Sequence, residues 1–410
     1  MTELQGRYDV VVIGAGPSGA VAATLLANYG HRVLILERQY FPRFSIGESL
    51  LPQSMEFLEQ AGLLQAVVEA GFQYKNGAAF CRGEEHDQFD FRKKFSDGWG
   101  TTYQVQRGQF DKILADCAGQ RGVEIRYGQS VTAVELLESE VVVDVVPDEG
   151  EPYRVAADFL LDGSGFGRVL PRLLNLEKAS CLGSRVALFT HLEDNIRDSR
   201  FDRNKILITV HPTNPEIWYW LIPFSDGRAS VGVVLPRALF DDDSMAEQAT
   251  LQRYIAEGGM LSELLVDARF DTPVGKLDGY SCDVERLYGE RFALLGNAGE
   301  FLDPVFSSGV TIALKSATLA AAAVHRQLKG QEPDWEQEYA IPLKVGIDTF
   351  RVFVEGWYDG RLQDVIFSDN KSEPVKAMIS SVLAGYAWDR RNPYVSEPAR
   401  LSTLAELCRR

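Results

Sequence analysis

The sequence is poor in the residues that staple folds together. Its five cysteines, Cys81, Cys117, Cys181, Cys282 and Cys408, are scattered and odd in number. No CxxC pair occurs, which argues against a disulfide framework and a structural zinc site. The five histidines show no HExxH or HxH spacing, so no metal is expected. No apolar run reaches the roughly 18 residues that a membrane helix needs. No charged leader followed by an apolar stretch and a small-residue cleavage site opens the chain. No Lys/Arg-rich block stands out against a formal net charge of −16, which argues against nucleic acid as a partner. Together these absences predict a cytoplasmic protein with no transmembrane segment. Any anionic ligand must be held by local geometry, because the global field opposes it.

What is present is ordinary globular chain: 410 residues, 45% hydrophobic and 24% charged, enough for two or three packed domains. Tyr8-Asp9-Val10-Val11-Val12-Ile13 is a short continuous apolar run of the kind that forms a buried parallel strand. A glycine-rich turn follows, then a helix over Ala20–Asn28 that Gly30 is placed to end. Arg32–Glu37 is a second strand. Further on, helices are expected over Glu56–Ala70 and Gln109–Gly119. Strands are expected over Val123–Tyr127, Val131–Val145 (as a hairpin) and Ala157–Leu161, the last running into Asp162-Gly163-Ser164-Gly165. Between Leu182 and Asp271 strand-like pieces dominate: Val186–His191, Ile206–Val210, Ile217–Ile222 and Ala229–Leu235. Phe292–Leu295 is one more buried strand. Val310–Leu328 is a long Ala-rich helix, and the tail from Trp335 reads as mainly helical.

Gly14-Ala15-Gly16-Pro17-Ser18-Gly19 is a GxGxxG turn. Alone the pattern is weak. Here it follows a strand, opens a helix and precedes an acidic residue, Glu37, which makes it a specific signal for a dinucleotide. Glycine is needed because backbone amides must approach a pyrophosphate closely, and the helix N-terminus adds partial positive charge there. Glu37 can accept a hydrogen bond from an adenosine ribose hydroxyl. A tight turn without a ligand is the competing reading.

Three further segments extend the pattern: Phe41-Pro42-Arg43-Phe44-Ser45-Ile46-Gly47-Glu48-Ser49, Gln106-Arg107-Gly108-Gln109-Phe110-Asp111, and Leu294-Leu295-Gly296-Asn297-Ala298-Gly299-Glu300-Phe301-Leu302-Asp303-Pro304. A late glycine-containing strand–helix junction, returning after a long insertion, resembles the class A flavoprotein monooxygenases. That resemblance implies FAD, held by Gly14, Gly16, Pro17, Ser18, Gly19, Glu37, Arg38, Arg43, Glu48, Ser49, Arg107, Asn297, Asp303, Pro304, Gly309 and Val310. The family usually carries Asp where this chain has Asn297. No second GxGxxG marks an NADPH domain.

Trp218-Tyr219-Trp220-Leu221-Ile222-Pro223 is WxWxIP without a mismatch, and it resembles the diagnostic motif of the flavin-dependent halogenases. Trp218 and Trp220 fall on one face of a strand, where they could wall flavin from substrate or simply fill a core. Lys75, in Tyr74-Lys75-Asn76-Gly77-Ala78, resembles the essential lysine of the pyrrole and phenol halogenases. In that family the lysine contacts or carries the oxidised halogen. Most lysines are simply surface residues, and Lys93 and Lys94 read as solvated charge. Asp303-Pro304-Val305-Phe306-Ser307-Ser308-Gly309-Val310 resembles the family segment whose amides, here at Ser308 and Gly309, bind chloride or bromide. Plain N-capping by Ser307 or Ser308 is the competing reading. Tryptophan halogenases carry glutamate where Phe306 stands, which argues against free tryptophan as the acceptor.

The expected architecture is α/β: a Rossmann-like FAD-binding domain (1–75, 105–180 and 275–335), an inserted, mainly antiparallel β-sheet substrate domain (76–104 and 181–274), and a helical C-terminal region (336–410). The resemblance implies catalytic roles for Lys75, Trp218, Trp220 and Pro223, with FADH2, O2 and chloride or bromide halogenating an electron-rich phenol or pyrrole. It also implies a separate flavin reductase and possible tethering of the acceptor to an acyl or peptidyl carrier protein. Rival readings are an FAD monooxygenase, an olefin reductase of the geranylgeranyl-reductase type, and a flavin-binding protein without turnover.

Overall fold

The computed structural model describes residues 4–240, 246–369 and 371–409. Two sheets organise the molecule. The first has eight strands, with the path Tyr288–Gly289, Phe292–Leu294, Tyr153–Asp162, Leu4–Ile13, Val33–Glu37, Glu124–Tyr127. Leu4–Ile13 lies at its centre and pairs in parallel with Val33–Glu37 and with Tyr153–Asp162. In this register the last residues of two strands, Ile13 and Asp162, lie side by side. The hairpin Gln129–Leu136/Val141–Pro147 attaches antiparallel to Tyr153–Asp162. Val10, Val11, Val12 and Val33–Leu36 are all buried, as both faces of a parallel sheet must be. The helices Pro17–Asn28 and Ser308–Leu328 pack on each other, and both are rich in small buried residues, among them Ala20, Ala23, Ala317 and Ala321. Small side chains let the two axes approach closely.

The second sheet has seven strands, in the order Gly275–Asp278, Arg185–Glu193, Arg228–Pro236, Trp218–Pro223, Lys205–Val210, Gly77–Arg82, Glu85–Asp90. Among the described residues, only Lys205–Val210 and Gly77–Arg82 pair in parallel in this sheet. Trp218–Pro223 and Lys205–Val210 are buried at every position, unusual for antiparallel strands. Their two faces meet different neighbours. Leu207, Tyr219 and Leu221 pack against the helices Glu247–Ala256 and Met260–Leu264, for which the sequence reading named no helix. Ile206, Ile208, Trp218, Trp220 and Ile222 face a cleft between the sheets.

The stretch expected as one helix over Glu56–Ala70 is two, Ser54–Gln60 and Leu64–Glu69. The break falls at Gly62, whose φ of +72° leaves the helical region. After Ser308–Leu328 come the π-helical turn Glu336–Ala340 and the helices Ile341–Tyr358, Arg361–Phe367, Glu373–Leu383, Pro393–Ser396 and Arg400–Cys408. They pack on Ser308–Leu328 and on the Gly77–Asp90 hairpin. No helix among the described residues is long and apolar enough to cross a membrane.

Candidate active site

The cleft has a volume of about 400 Å³ and is built by both sheets. Its floor is the turn after the first strand. Gly14 has φ +89°, and a Cβ there would fall 2.7 Å from the Gly163 carbonyl oxygen, so only glycine fits. A Cβ on Gly19 would lie 2.0 Å from the Gly14 oxygen. Gly16 differs. Its φ is −70°, and an added Cβ would meet only the Arg43 guanidinium, at 3.5 Å. Its missing side chain therefore serves the open space of the cleft and not the backbone. The helix Pro17–Asn28 starts with proline and has no side-chain cap, which leaves first-turn amides available to an anion.

Glu37 ends the second strand, buried. It accepts from the Ala15 amide at 2.7 Å and the Gln39 amide at 2.9 Å, so its carboxylate is fixed at the rim of the turn. Asp162 is likewise buried. It accepts from the Ser164 and Leu170 amides at 2.9 and 2.7 Å, and burial pushes its carboxyl upward. This bonding presents Gly163, Ser164 and Gly165 to the cleft opposite the glycine-rich turn.

Along one side, Arg107 makes a two-point ion pair with Asp111, at 2.7 and 2.9 Å, and also donates to the Ile46 carbonyl. Arg43 reaches the same Asp111 at 3.1 Å. Its buried Nε atom has no hydrogen-bond partner. Glu48 also faces the cleft, its carboxylate 2.6 Å from His191. Arg38 lies at the exposed rim. The Arg43 Nε lies 3.9 Å from Glu37 Oε1, within ion-pair range but with no hydrogen bond made. The free N–H and the room that glycine leaves at position 16 together fit a dinucleotide: they are the donor and the space that a pyrophosphate requires.

Opposite stands the aromatic strand. Trp218 and Trp220 lie 5.9 Å apart at their ring centroids and both line the cleft. Trp220 donates to Ser230 at 3.1 Å and lies against Gly232, its partner across the strand pair. A Cβ on Gly232 would sit 2.3 Å from the indole ring. Gly232→Ala is expected to cost about 1–3 kcal/mol by overpacking. It should also push the indole into the cleft, seen as a lower melting temperature together with weaker binding of the dinucleotide. Pro223 closes the same strand and does not line the cleft.

Past Trp220 the late segment completes the enclosure. Asn297, Pro304, Gly309 and Val310 line the cleft. So does Ser307, which the sequence offered only as a capping residue; it makes no side-chain cap bond, and its φ of +55° turns the chain into the helix Ser308–Leu328. Ser308 is buried beside it and lies off the cleft lining. Asp303 turns its carboxylate away from the cleft, toward Tyr280 and Tyr358.

Lys75 is fully buried, one side chain behind the cleft. Its Nζ donates to Ser49 Oγ at 2.6 Å and to the Leu50 carbonyl at 2.8 Å, with the Phe91 ring centroid 5.4 Å away. Ser49 itself lines the cleft, so one hydroxyl separates the amine from it. Burial lowers the Lys75 pKa to about 7. Two acceptors match the two N–H bonds of a neutral amine; the third proton of an ammonium has only an aromatic face. The unfolded chain keeps that proton to about pH 10.4, so the folded protein gains stability between pH 7 and 10 and carries the full cost of a buried ammonium below 7. Lys75→Met is therefore expected to melt above the wild type at about pH 6 and to lose that margin by about pH 10 in calorimetry.

The sequence reading did not single out Gly163, Ser164, Gly165, Gln129–Val131 or Ile206 and Ile208 as lining residues. The Asp-Gly-Ser-Gly run at a strand end was the available signal for the first group.

Residues 7–231 match the family model described as FAD binding domain. A solved flavoprotein/dehydrogenase from Cytophaga hutchinsonii superposes with TM-score 0.95 at 44% identity, covering 98% of this chain and 99% of its own. The 1H-pyrrole-2-carbonyl-(peptidyl-carrier protein) chlorinase of Pseudomonas fluorescens is 28% identical, over 86% of this chain and 83% of its own length. The tryptophan 2-halogenase of Chondromyces crocatus is 32% identical over 80% of this chain, which spans 63% of that protein.

Proposed function

Because this chain belongs to the FAD binding domain family, we propose that it is a flavin-dependent halogenase acting on an electron-rich aromatic, a phenol or pyrrole, free or tethered to a carrier protein. The observation that carries this reading is a single arrangement. A dinucleotide cradle forms one side of the cleft, Trp218 and Trp220 form the other, and the buried amine of Lys75 lies behind Ser49. FADH2, delivered by a separate flavin reductase, supplies the two electrons that let O2 oxidise chloride or bromide to hypohalous acid.

The chain's own groups do the rest. Gly14, Gly16, Ser18, Arg43 and Arg107, the two arginines joined through Asp111, would hold the pyrophosphate, and Glu37 would hold a ribose. The Ser307–Gly309 turn, at a helix N-terminus, is suited to a halide. The two indoles keep bulk water and acceptor off the flavin side. Lys75 receives the oxidised halogen and presents it to the acceptor. Phe306, packed 6.0 Å from Trp357 and 6.3 Å from Phe353 at the ring centroids, supplies no carboxylate to the acceptor side, which favours a neutral arene.

The test is aerobic turnover with FADH2, bromide and a panel of phenols, pyrroles, tryptophan and carrier-bound pyrrole, read by mass spectrometry. Bromide-dependent bromination is the expected result. Hydroxylated product without halide would make the protein a monooxygenase. Oxygen-independent reduction of an alkene would make it an olefin reductase, and no product at all would leave a binding protein.

A further inference from the structure

The C-terminal helices carry no motif, yet one of them reaches the site. Tyr358 ends the helix Ile341–Tyr358 and is half-buried. Its oxygen accepts the indole N–H of Trp218 at 2.9 Å, and its O–H donates to Asp303 Oδ2 at 2.7 Å. Tyr280 donates to the same Oδ2 at 3.1 Å, and the Val305 amide donates to Oδ1 at 3.0 Å. Arg185 lies with its guanidinium carbon 3.3 Å from the Tyr358 ring centroid and is held in turn by Glu216. Every polar atom of this chain is therefore paired: indole to phenol, phenol to carboxylate, carboxylate to a second phenol and an amide. Its two ends lie in the two segments that close the cleft, the aromatic strand and the turn before Ser308–Leu328.

We propose that Tyr358 is a positioning residue: braced by Asp303 and Arg185, it fixes the Trp218 indole in the cleft wall and so sets how much oxidant reaches the acceptor and how much leaks as hydrogen peroxide. This rests on the halogenase reading for the second half only. In coupled turnover FADH2, O2, a halide ion and a proton give FAD, hypohalous acid and water. In the leak, FADH2 and O2 give FAD and H2O2. An indole free to rotate opens the wall to water and lets the second course compete. The geometry has a directional reason. Trp218 has one polar atom, and Tyr358 alone receives it; the ring cannot swing without leaving that N–H unpaired in a buried place.

Tyr358→Phe keeps the ring and the Arg185 contact and removes only the hydroxyl, so it tests the link directly. The indole 15N–1H resonance of Trp218, assigned with Trp218→Phe, is expected to move upfield in the variant. With limiting FADH2, air, bromide and an accepted arene, the ratio of peroxide to brominated product is expected to rise on the order of tenfold, as for a misplaced group near the reacting centre. FAD affinity should stay close to wild type, and the melting temperature should fall modestly, as the loss of one buried hydrogen-bond acceptor requires. An unmoved indole resonance overturns the proposal. A shifted resonance with an unchanged product ratio overturns the control of leakage. If the wild type brominates nothing, the functional reading fails on its own, and the indole resonance still decides whether Tyr358 holds Trp218.

Discussion

Replacing Lys75 with methionine is expected to lower halogenated product by about 10²–10⁴-fold, the range lost when a positioned proton-handling group is removed, while FAD binds as before. The separation follows from where the amine sits. Lys75 does not line the cleft that fits the cofactor; it stands behind Ser49, with its Nζ on Ser49 Oγ and the Leu50 carbonyl. Methionine matches the length of the chain and suits the aromatic surroundings of Phe91, so the fold should survive. Flavin titration should then read as wild type, and mass spectrometry of the turnover mixture should show the loss. Lys75→Arg is expected to fail as well, because a guanidinium stays charged and is too broad for a site with two acceptors. Full bromination by Lys75→Met would remove the amine from the chemistry and return it to structure alone. The same substitution is expected to raise the melting temperature below pH 7, so gained stability and lost activity would appear in one variant. That pairing distinguishes a functional residue from a structural one.

What the sequence made legible was local chemistry. The strand Leu4–Ile13, the glycine-rich turn and Glu37 lie within one βαβ unit, where spacing alone fixes geometry, and the structure places Ala15 and Glu37 in direct hydrogen bond. The alternation of Trp218 and Trp220 told which residues share a face, since a strand has period two. It could not tell that the opposite face would be covered by Glu247–Ala256 and Met260–Leu264, since which elements meet across a sheet is a long-range matter outside any local pattern. Burial of Lys75 was beyond reach for a related reason. Its cover comes from Ser49, Leu50 and Phe91, brought together only when Gln73–Lys75 pairs with Thr102–Gln104. Asp303 was read as a cofactor residue from its motif. Its partners Tyr280 and Tyr358 come from 23 residues before it and 55 after it, which no local pattern reveals. Ser307 was legible as a cap but not as part of the cleft lining, because a positive φ on serine leaves no mark in the sequence.

Gly16→Val is expected to weaken FAD binding by about 100-fold or more, equivalent to about 2.7 kcal/mol, and to leave the fold intact. Among the glycines of this turn, Gly16 alone permits such a clean separation. Its φ of −70° is open to any residue, and the nearest atom to an added Cβ is the flexible end of Arg43. Valine would therefore be tolerated by the backbone and would occupy the space through which the amides of the Pro17–Asn28 helix meet a pyrophosphate. Gly14→Val gives the contrasting case. Its φ of +89° and the Gly163 oxygen at 2.7 Å make any side chain a strain on the central strand, so that variant should lose stability and FAD together. Thermal unfolding of the FAD-free proteins separates the two: Gly16→Val should melt with the wild type, and Gly14→Val well below it. FAD affinity measured by flavin fluorescence then assigns the loss in Gly16→Val to the ligand alone. Undiminished affinity in Gly16→Val would mean that the pyrophosphate does not cross this turn, and the cofactor would have to be placed elsewhere between the sheets.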